Sequence, residues 1–142
     1  MHIQYAPVMG QVLICDFNTG FREPEMVKER LVVVASPRLP GRDGLCTVVP
    51  LSTTPPRSGV RYQCKILLPF SAPPPYEGDF KFAKADMLAT VADRRLTMPY
   101  LQRDKLSGRR KYLKTCISPD ELLKVQRCIL SALGLSLLTS HL

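Results

Sequence analysis

The apolar residues of this 142-residue chain occur in short runs, and each run is bounded by proline, glycine or polar turn residues. The clearest run, residues 31–35, is β-branched, too short for a helix, and followed by Ser36 and Pro37. Such a run predicts a buried strand. By the same argument we expect strands at residues 11–17, 46–49, 62–68, 80–85 and 87–91. The residues alone therefore favour a mainly β domain, built as a small barrel or a sandwich.

Prolines set the expected limits of two of these strands. Pro50 is expected to end the third strand, because proline cannot donate a hydrogen bond to a neighbouring strand. The proline-rich residues 69–75 are expected to form an extended connection after the fourth strand.

One helix is predicted near the end of the chain. Ser118, Pro119 and Glu121 have the spacing of a capping box, with serine at the N-cap and proline at the first helical position. Gly134 is the expected C-terminal cap residue. The apolar residues between them recur at spacings of three and four, as on the core-facing side of a helix: Leu122, Val125, Ile129 and Leu133. Residues 135–142 stay apolar without periodicity, and we expect them to cover the barrel or a partner.

Cysteine and histidine usage excludes several classes of site. The five cysteines include no Cys-x-x-Cys pair, which argues against a zinc site and a disulfide framework, and we interpret them as buried apolar side chains. The two histidines lie at the extreme termini, so Ser-His-Asp and Cys-His catalytic sites are excluded. No segment is apolar for long enough to cross a bilayer or resembles a signal peptide. We expect a cytoplasmic protein without membrane contact, metal or other cofactor.

Positive charge is concentrated in one segment. Between residues 94 and 116 eight basic residues face one acidic residue, so this segment carries +7 of the net charge of +8. The eight are Arg94, Arg95, Arg103, Lys105, Arg109, Arg110, Lys111 and Lys114. The Ser107-Gly108 pair marks a turn within the segment. The pattern favours a basic hairpin or loop that contacts nucleic acid, with a charged, solvated insertion as the alternative.

Several motifs follow one another in a characteristic order. Glu25 precedes Arg30 by five residues, and Arg30 opens the apolar run that ends at Ser36. The next strand closes with residues 48–53, Val-Val-Pro-Leu-Ser-Thr. Residues 84–91 and the capped helix come later. In this order the motifs resemble the MazF/PemK family of toxins from type II toxin–antitoxin systems. The resemblance spans most of the chain, and we expect residues 1–142 to form a single domain of this kind with a basic insertion at about residues 97–116.

The resemblance implies a small SH3-like β-barrel with a C-terminal helix, usually assembled as a homodimer. It further implies metal-independent, sequence-specific cleavage of single-stranded RNA at short sequences, in which a 2′-hydroxyl attacks the adjacent phosphate and leaves a 2′,3′-cyclic phosphate. Arg30 matches the family's catalytic arginine, and Ser52 matches a position where catalytic threonine is commonest. Thr53 and the eight basic residues are the expected RNA contacts. A cognate antitoxin, usually acidic and partly disordered, is the implied protein partner.

These roles agree with phosphate chemistry. A planar guanidinium can hold two phosphate oxygens, so Arg30 would clamp the charge of the transition state. Ser52 would orient the 2′-hydroxyl or bind the phosphate, and Glu25 would orient Arg30 or accept a proton. The simpler interpretations are a surface arginine, a serine that caps turn amides and a loop carboxylate.

Besides the longer stretch at about residues 97–116, two features depart from the family pattern. Leu31 follows Arg30 where proline is usual, and residues 26–29 replace a glycine-containing loop. Two alternative functions stay open, because fold alone does not determine function. One is a CcdB-like poison that binds DNA gyrase without catalysis, and the other is an inactive family member that only binds nucleic acid or a partner.

Overall fold

Short strands dominate the fold, as the short apolar runs predict. The computed structural model describes residues 2–101 and 103–142. The strands of this part of the chain are β1 (Val12–Asp16), β2 (Glu29–Val34), β3 (Leu45–Ser52), β4 (Gln63–Ala72), β5 (Gly78–Lys84), β6 (Ala89–Ala92) and β7 (Leu96–Thr97). The α-helix α1 spans Pro119–Ala132, and short 3-10 turns lie at Ala85–Met87, Asp93–Arg95 and Ser136–His141.

The strands form one antiparallel sheet in the order β4-β5-β3-β2-β1-β7, with β6 paired to β3. Both faces of β2 are buried, since Leu31 and Val33 pack into one apolar cluster while Val32 and Val34 pack into a second. A strand buried on both faces reads as a continuous apolar run, which explains residues 31–35. Among the described residues β4, β6 and β7 each pair with a single strand, so the barrel is open. The predicted class, mainly β with a C-terminal helix, is confirmed.

The prediction that Pro50 ends the third strand was wrong. Pro50 lies opposite Val32 within β3, and the strand continues to Ser52. The strand survives because its last residues change partner: Leu51 and Ser52 pair with β5 rather than β2.

The expected proline-rich connection also begins later than predicted, because residues 69–72 belong to β4. The β4–β5 register shifts between Leu67 and Ala72, so Pro69 lies in an irregular part of the ladder. Such an irregularity tolerates a residue that cannot donate a hydrogen bond.

Helix α1 begins and ends as predicted. Ser118 Oγ accepts a hydrogen bond from the Glu121 backbone N–H at 3.3 Å, and Gly134 has φ +76° beyond the last turn. Only half of the predicted capping box forms among the described residues, because the Glu121 carboxylate accepts a 2.8 Å hydrogen bond from the Leu67 backbone N–H in β4 rather than one from the Ser118 N–H. Leu133 departs from the predicted core stripe, because 60% of its surface is exposed. Leu137, in the following 3-10 turn, is 91% exposed.

The segment of high positive charge contains a hairpin. Tyr100 and Tyr112 form an antiparallel bridge, and their rings make an edge-to-face contact at 6.1 Å. Farther out, the Asp104 N–H donates to the Arg109 carbonyl at 2.9 Å, which closes the turn. We call residues 99–101 and 103–113 the basic hairpin; Gln102 lies outside the described residues.

The cysteines follow the expectation of burial with two exceptions, the first being Cys64, which is only half-buried. Burial raises the pKa of the Cys15 thiol to about 12 and that of Cys46 to about 11, so both remain neutral core side chains. Cys116 is instead exposed. Within residues 2–101 and 103–142, no cluster of His, Cys, Asp and Glu could hold a metal ion, and no helix is long and apolar enough to span a membrane.

Candidate active site

A groove opens where β2 and β3 separate. Their pairing ends at Val32 and Pro50, although β2 begins at Glu29 and β3 continues to Ser52. Past this point β3 pairs with β5, whereas the start of β2 stays paired with β1, where Arg30 lies opposite Cys15. Extending the β2–β3 register by two residues would place Arg30 opposite Ser52. Because the strands have separated, a crevice forms between them, and both residues line it.

This crevice is a groove of about 610 Å³ that we call the Arg30 groove. Its lining includes all three predicted catalytic residues, Arg30, Ser52 and Glu25, together with Thr53 and Lys84. The structure therefore brings together residues from a loop and two strands that lie up to 27 positions apart in sequence.

Backbone contacts orient the arginine. Arg30 Nε donates a 3.1 Å hydrogen bond to the Val27 carbonyl oxygen, and no described residue forms an ion pair with the guanidinium. The Val27 contact fixes the Nε side of the guanidinium group, which leaves its two terminal nitrogens available to bind a ligand. The loop before Arg30 carries strain, since Lys28 has φ +71° in the left-handed region that favours glycine.

The other two predicted residues make local hydrogen bonds. Ser52 is 8% exposed, and its Oγ accepts a 3.0 Å hydrogen bond from the Thr54 N–H. This acceptor role leaves the hydroxyl proton available for donation. Glu25 Oε2 accepts a 2.7 Å hydrogen bond from the Arg22 N–H. Among the described residues Glu25 makes no hydrogen bond or ion pair with Arg30, and the Val27 carbonyl orients the guanidinium instead.

The protein-family model described as "PemK-like, MazF-like toxin of type II toxin-antitoxin system" matches residues 9–133. The chain belongs to this family. It is 26% identical over 152 residues to the uncharacterized protein YifN of Escherichia coli (strain K12), covering 94% of this chain and 96% of YifN. It is also 30% identical over 144 residues to an uncharacterized protein of Haemophilus influenzae, covering 94% of both chains.

Solved structures share the MazF/PemK fold of this chain. MazF from Deinococcus radiodurans superposes with a TM-score of 0.62 at 22% identity, over 92% of this chain and 99% of that one. An endoribonuclease from a mycobacterial species, solved with its cognate antitoxin, gives a TM-score of 0.59 at 22% identity, over 92% and 97% of the two chains. These likenesses establish the fold, including the barrel-like sheet and the C-terminal helix.

None of the predicted basic RNA contacts between residues 94 and 114 lines the Arg30 groove of this MazF/PemK-like toxin. Arg95 has a structural role, because its Nη1 donates a 3.0 Å hydrogen bond to the Asp16 carbonyl and its guanidinium lies 5.0 Å from the Phe21 ring. Arg110 lies over Tyr100 at 4.2 Å, and Lys114 lies over Tyr5 at 4.4 Å.

The remaining basic side chains of the segment are exposed: Arg94, Arg103, Lys105, Arg109 and Lys111. Arg94 lines a separate cavity of about 530 Å³, together with residues of the N-terminal segment. The groove and the exposed cations of the basic hairpin are therefore distinct regions of the surface.

Sequence reasoning missed three polar residues at the groove. Lys84 lines the groove itself, and Lys81 and Tyr76 line a neighbouring cavity. The Tyr76 hydroxyl donates a 3.1 Å hydrogen bond to Glu29 Oε2, and burial together with the Glu29 charge raises the pKa of Tyr76. The alternation of side-chain faces along residues 80–85 could have indicated that Lys81 is buried. It puts this lysine on the same face of β5 as the buried Ala83.

Proposed function

We propose that this toxin is an endoribonuclease that cleaves single-stranded RNA without a metal ion. The observation that carries the proposal is the meeting of Arg30 and Ser52 in one groove at the point where β2 and β3 separate. Family membership supports the toxin role, and relatives of the same fold are named endoribonucleases. By the same family argument we propose that the toxin acts in the cytoplasm as a homodimer and is inhibited by a cognate antitoxin.

The reaction needs two proton transfers and stabilisation of negative charge. The 2′-oxygen bonds to phosphorus as the bond from phosphorus to O5′ breaks, which yields a 2′,3′-cyclic phosphate and a 5′-hydroxyl. The 2′-hydroxyl proton passes to an acceptor. Two carboxylates line the groove, Glu23 and Glu25, and we assign this role to Glu25. The leaving O5′ takes up a proton, either from water or from an acid that the groove presents.

Arg30 stabilises the phosphorane-like transition state in this scheme. Its terminal nitrogens would donate to two nonbridging oxygens, and a positioned donor of this kind contributes about 3–4 kcal/mol. An arginine remains protonated and therefore does not serve as the base. The Ser52 hydroxyl retains its proton for donation to a phosphate oxygen, or it orients the attacking 2′-hydroxyl.

Replacement of Arg30 tests the proposal. Arg30→Ala should lower the cleavage rate about 100-fold or more, because it removes the transition-state clamp. Arg127→Ala is the matched control, since Arg127 is an exposed arginine of α1 outside the groove, and it should cleave at the wild-type rate. An unchanged rate for Arg30→Ala would refute the assigned role.

The substrate supplies a second test. Product ends should be mapped on a long RNA, and a 2′-deoxy nucleotide then placed at the cleavage point, where it should block the reaction because the nucleophile is missing. Cleavage should continue in excess EDTA. RNA binding without cleavage would favour the inactive family member, and capture of gyrase without cleavage would favour the CcdB-like poison.

A further inference from the structure

Lys81 occupies a core-facing position in the middle of β5. Its backbone pairs with that of Ile66, whose side chain is completely buried, and Lys81 itself is only 5% exposed. Its Nζ donates a 2.9 Å hydrogen bond to the Glu77 carbonyl oxygen. An ammonium has three N–H donors, so this contact leaves two of them for other acceptors. Among residues 2–101 and 103–142, no carboxylate forms an ion pair with Lys81.

This ammonium lies beside the proposed cleavage site. Lys81 lines a cavity of about 290 Å³ that we call the Lys81 lobe. Arg30 and Thr53 line both the lobe and the Arg30 groove, so the two form neighbouring parts of one concave surface. The β3–β5 register agrees with this arrangement, because extending the pair of Ser52 and Phe82 by one step places Thr53 opposite Lys81.

The charge of Lys81 is costly unless an anion joins it. Burial disfavours the charged ammonium and lowers the pKa of Lys81, and the nearby Glu77 carboxylate only partly opposes this shift. The remaining charged groups of the lobe are Lys28, Glu29 and Arg30. The Glu29 carboxylate is already hydrogen-bonded to the Tyr76 hydroxyl. A phosphate entering the lobe would therefore meet a cation that lacks a strong partner.

We propose that Lys81 is an RNA-binding residue whose ammonium holds the phosphate next to the one that Arg30 clamps. The inference rests on the proposed ribonuclease function and extends it, because it gives the RNA strand a path from the Arg30 groove into the Lys81 lobe. Thr53, at the junction of the two, is the residue that the strand passes.

The test compares Lys81→Met, which keeps an aliphatic side chain but removes the charge, with Lys81→Arg, which keeps the charge. Lys65→Met is the control, because Lys65 is an exposed lysine of β4 outside the lobe. Binding is measured on an oligonucleotide with a 2′-deoxy block at the mapped cleavage point. Lys81→Met should weaken binding about tenfold. Log K falls as log salt rises, and this fall should become shallower by about 0.7 in slope, as expected for one lost phosphate contact. The KM should rise more than kcat falls.

A pH profile separates this role from simple core packing. The protonated ammonium binds phosphate, so wild-type affinity should fall as pH rises through the lowered pKa of Lys81. The Lys81→Arg variant stays charged, so its affinity for RNA should not fall over this alkaline range. The raised pKa of Tyr76 keeps that hydroxyl neutral in the same range.

Three results would overturn the proposal. They are an unchanged affinity and salt slope in a folded Lys81→Met protein, an alkaline loss that persists in Lys81→Arg, or an equal loss in Lys65→Met. If Lys81→Met does not fold, as judged by thermal melting, the profile of Lys81→Arg decides the question. If the wild type cleaves RNA and any one of these results is found, only the role of Lys81 is refuted. If the wild type does not cleave RNA, both the ribonuclease proposal and the Lys81 proposal are refuted.

Discussion

The Ser52 hydroxyl meets two demands at once. As an acceptor it satisfies the Thr54 N–H at the end of β3, and as a donor it faces the Arg30 groove. The structural and catalytic interpretations of Ser52 are therefore compatible, because a hydroxyl can accept and donate simultaneously. A substitution at this position should affect stability and activity separately.

We predict that Ser52→Ala lowers kcat about tenfold or more while costing about 1 kcal/mol of unfolding free energy, since the Thr54 N–H loses its partner. Ser52→Thr should retain activity, because it keeps the hydroxyl. Single-turnover cleavage and urea unfolding measure the two effects. Equal rates for Ser52→Ala and wild type, in a folded protein, would remove Ser52 from the mechanism.

At the level of elements, the link between α1 and β4 depends on one carboxylate. Glu121 is 8% exposed and accepts hydrogen bonds from the Leu67 N–H at 2.8 Å and from Lys124 Nζ at 2.9 Å. The helix and the edge strand β4 are thereby joined through the Leu67 N–H, which donates to Glu121 rather than to the neighbouring strand β5. Val125 and Cys128 complete the contact by packing into the core.

Removal of this carboxylate should loosen the helix. We predict that Glu121→Ala lowers the unfolding free energy by about 2 kcal/mol, because it leaves the Leu67 N–H without its charged partner. Asp120→Ala is the control, since Asp120 is exposed in the same helical turn, and it should cost less. Urea unfolding monitored by circular dichroism compares the two. Equal losses would mean that helix-end electrostatics, rather than the Leu67 contact, accounts for the effect.

The sequence predicts the elements of this fold better than it predicts their connections. Residues 31–35 and the Ser118 cap are local signals, and both features form where expected. Pro50 misled the prediction because its effect depends on which strand lies alongside, and β3 changes partner just beyond it. The Arg30–Ser52 juxtaposition came from a family resemblance, and the role of Lys81 required the cavity, because a single lysine in an alternating strand does not reveal what it faces.

At the scale of the whole molecule, the segment of high positive charge and the proposed catalytic groove are separate. The groove lies where β2 and β3 diverge, whereas most of the net positive charge lies in a segment whose cations do not line it. Aromatic contacts hold part of this segment in place, through Tyr100 with Tyr112 and Arg110 with Tyr100. An ordered basic hairpin of this kind can attract a polyanion, either an RNA strand or an acidic antitoxin, without contributing to bond cleavage.

We therefore predict that the double variant Arg109→Gln/Lys111→Gln weakens RNA binding and flattens its salt dependence but leaves kcat at saturating RNA unchanged. Loss of two cations should make the negative slope of log K against log salt shallower by up to about 1.4, because each phosphate contact on a single strand contributes about 0.7. Arg61→Gln/Arg127→Gln, which removes two exposed charges elsewhere, controls for the change in net charge. If both double variants flatten the salt dependence equally, the effect belongs to the overall charge of the protein. If only the hairpin variant flattens it, the hairpin contacts the RNA backbone directly.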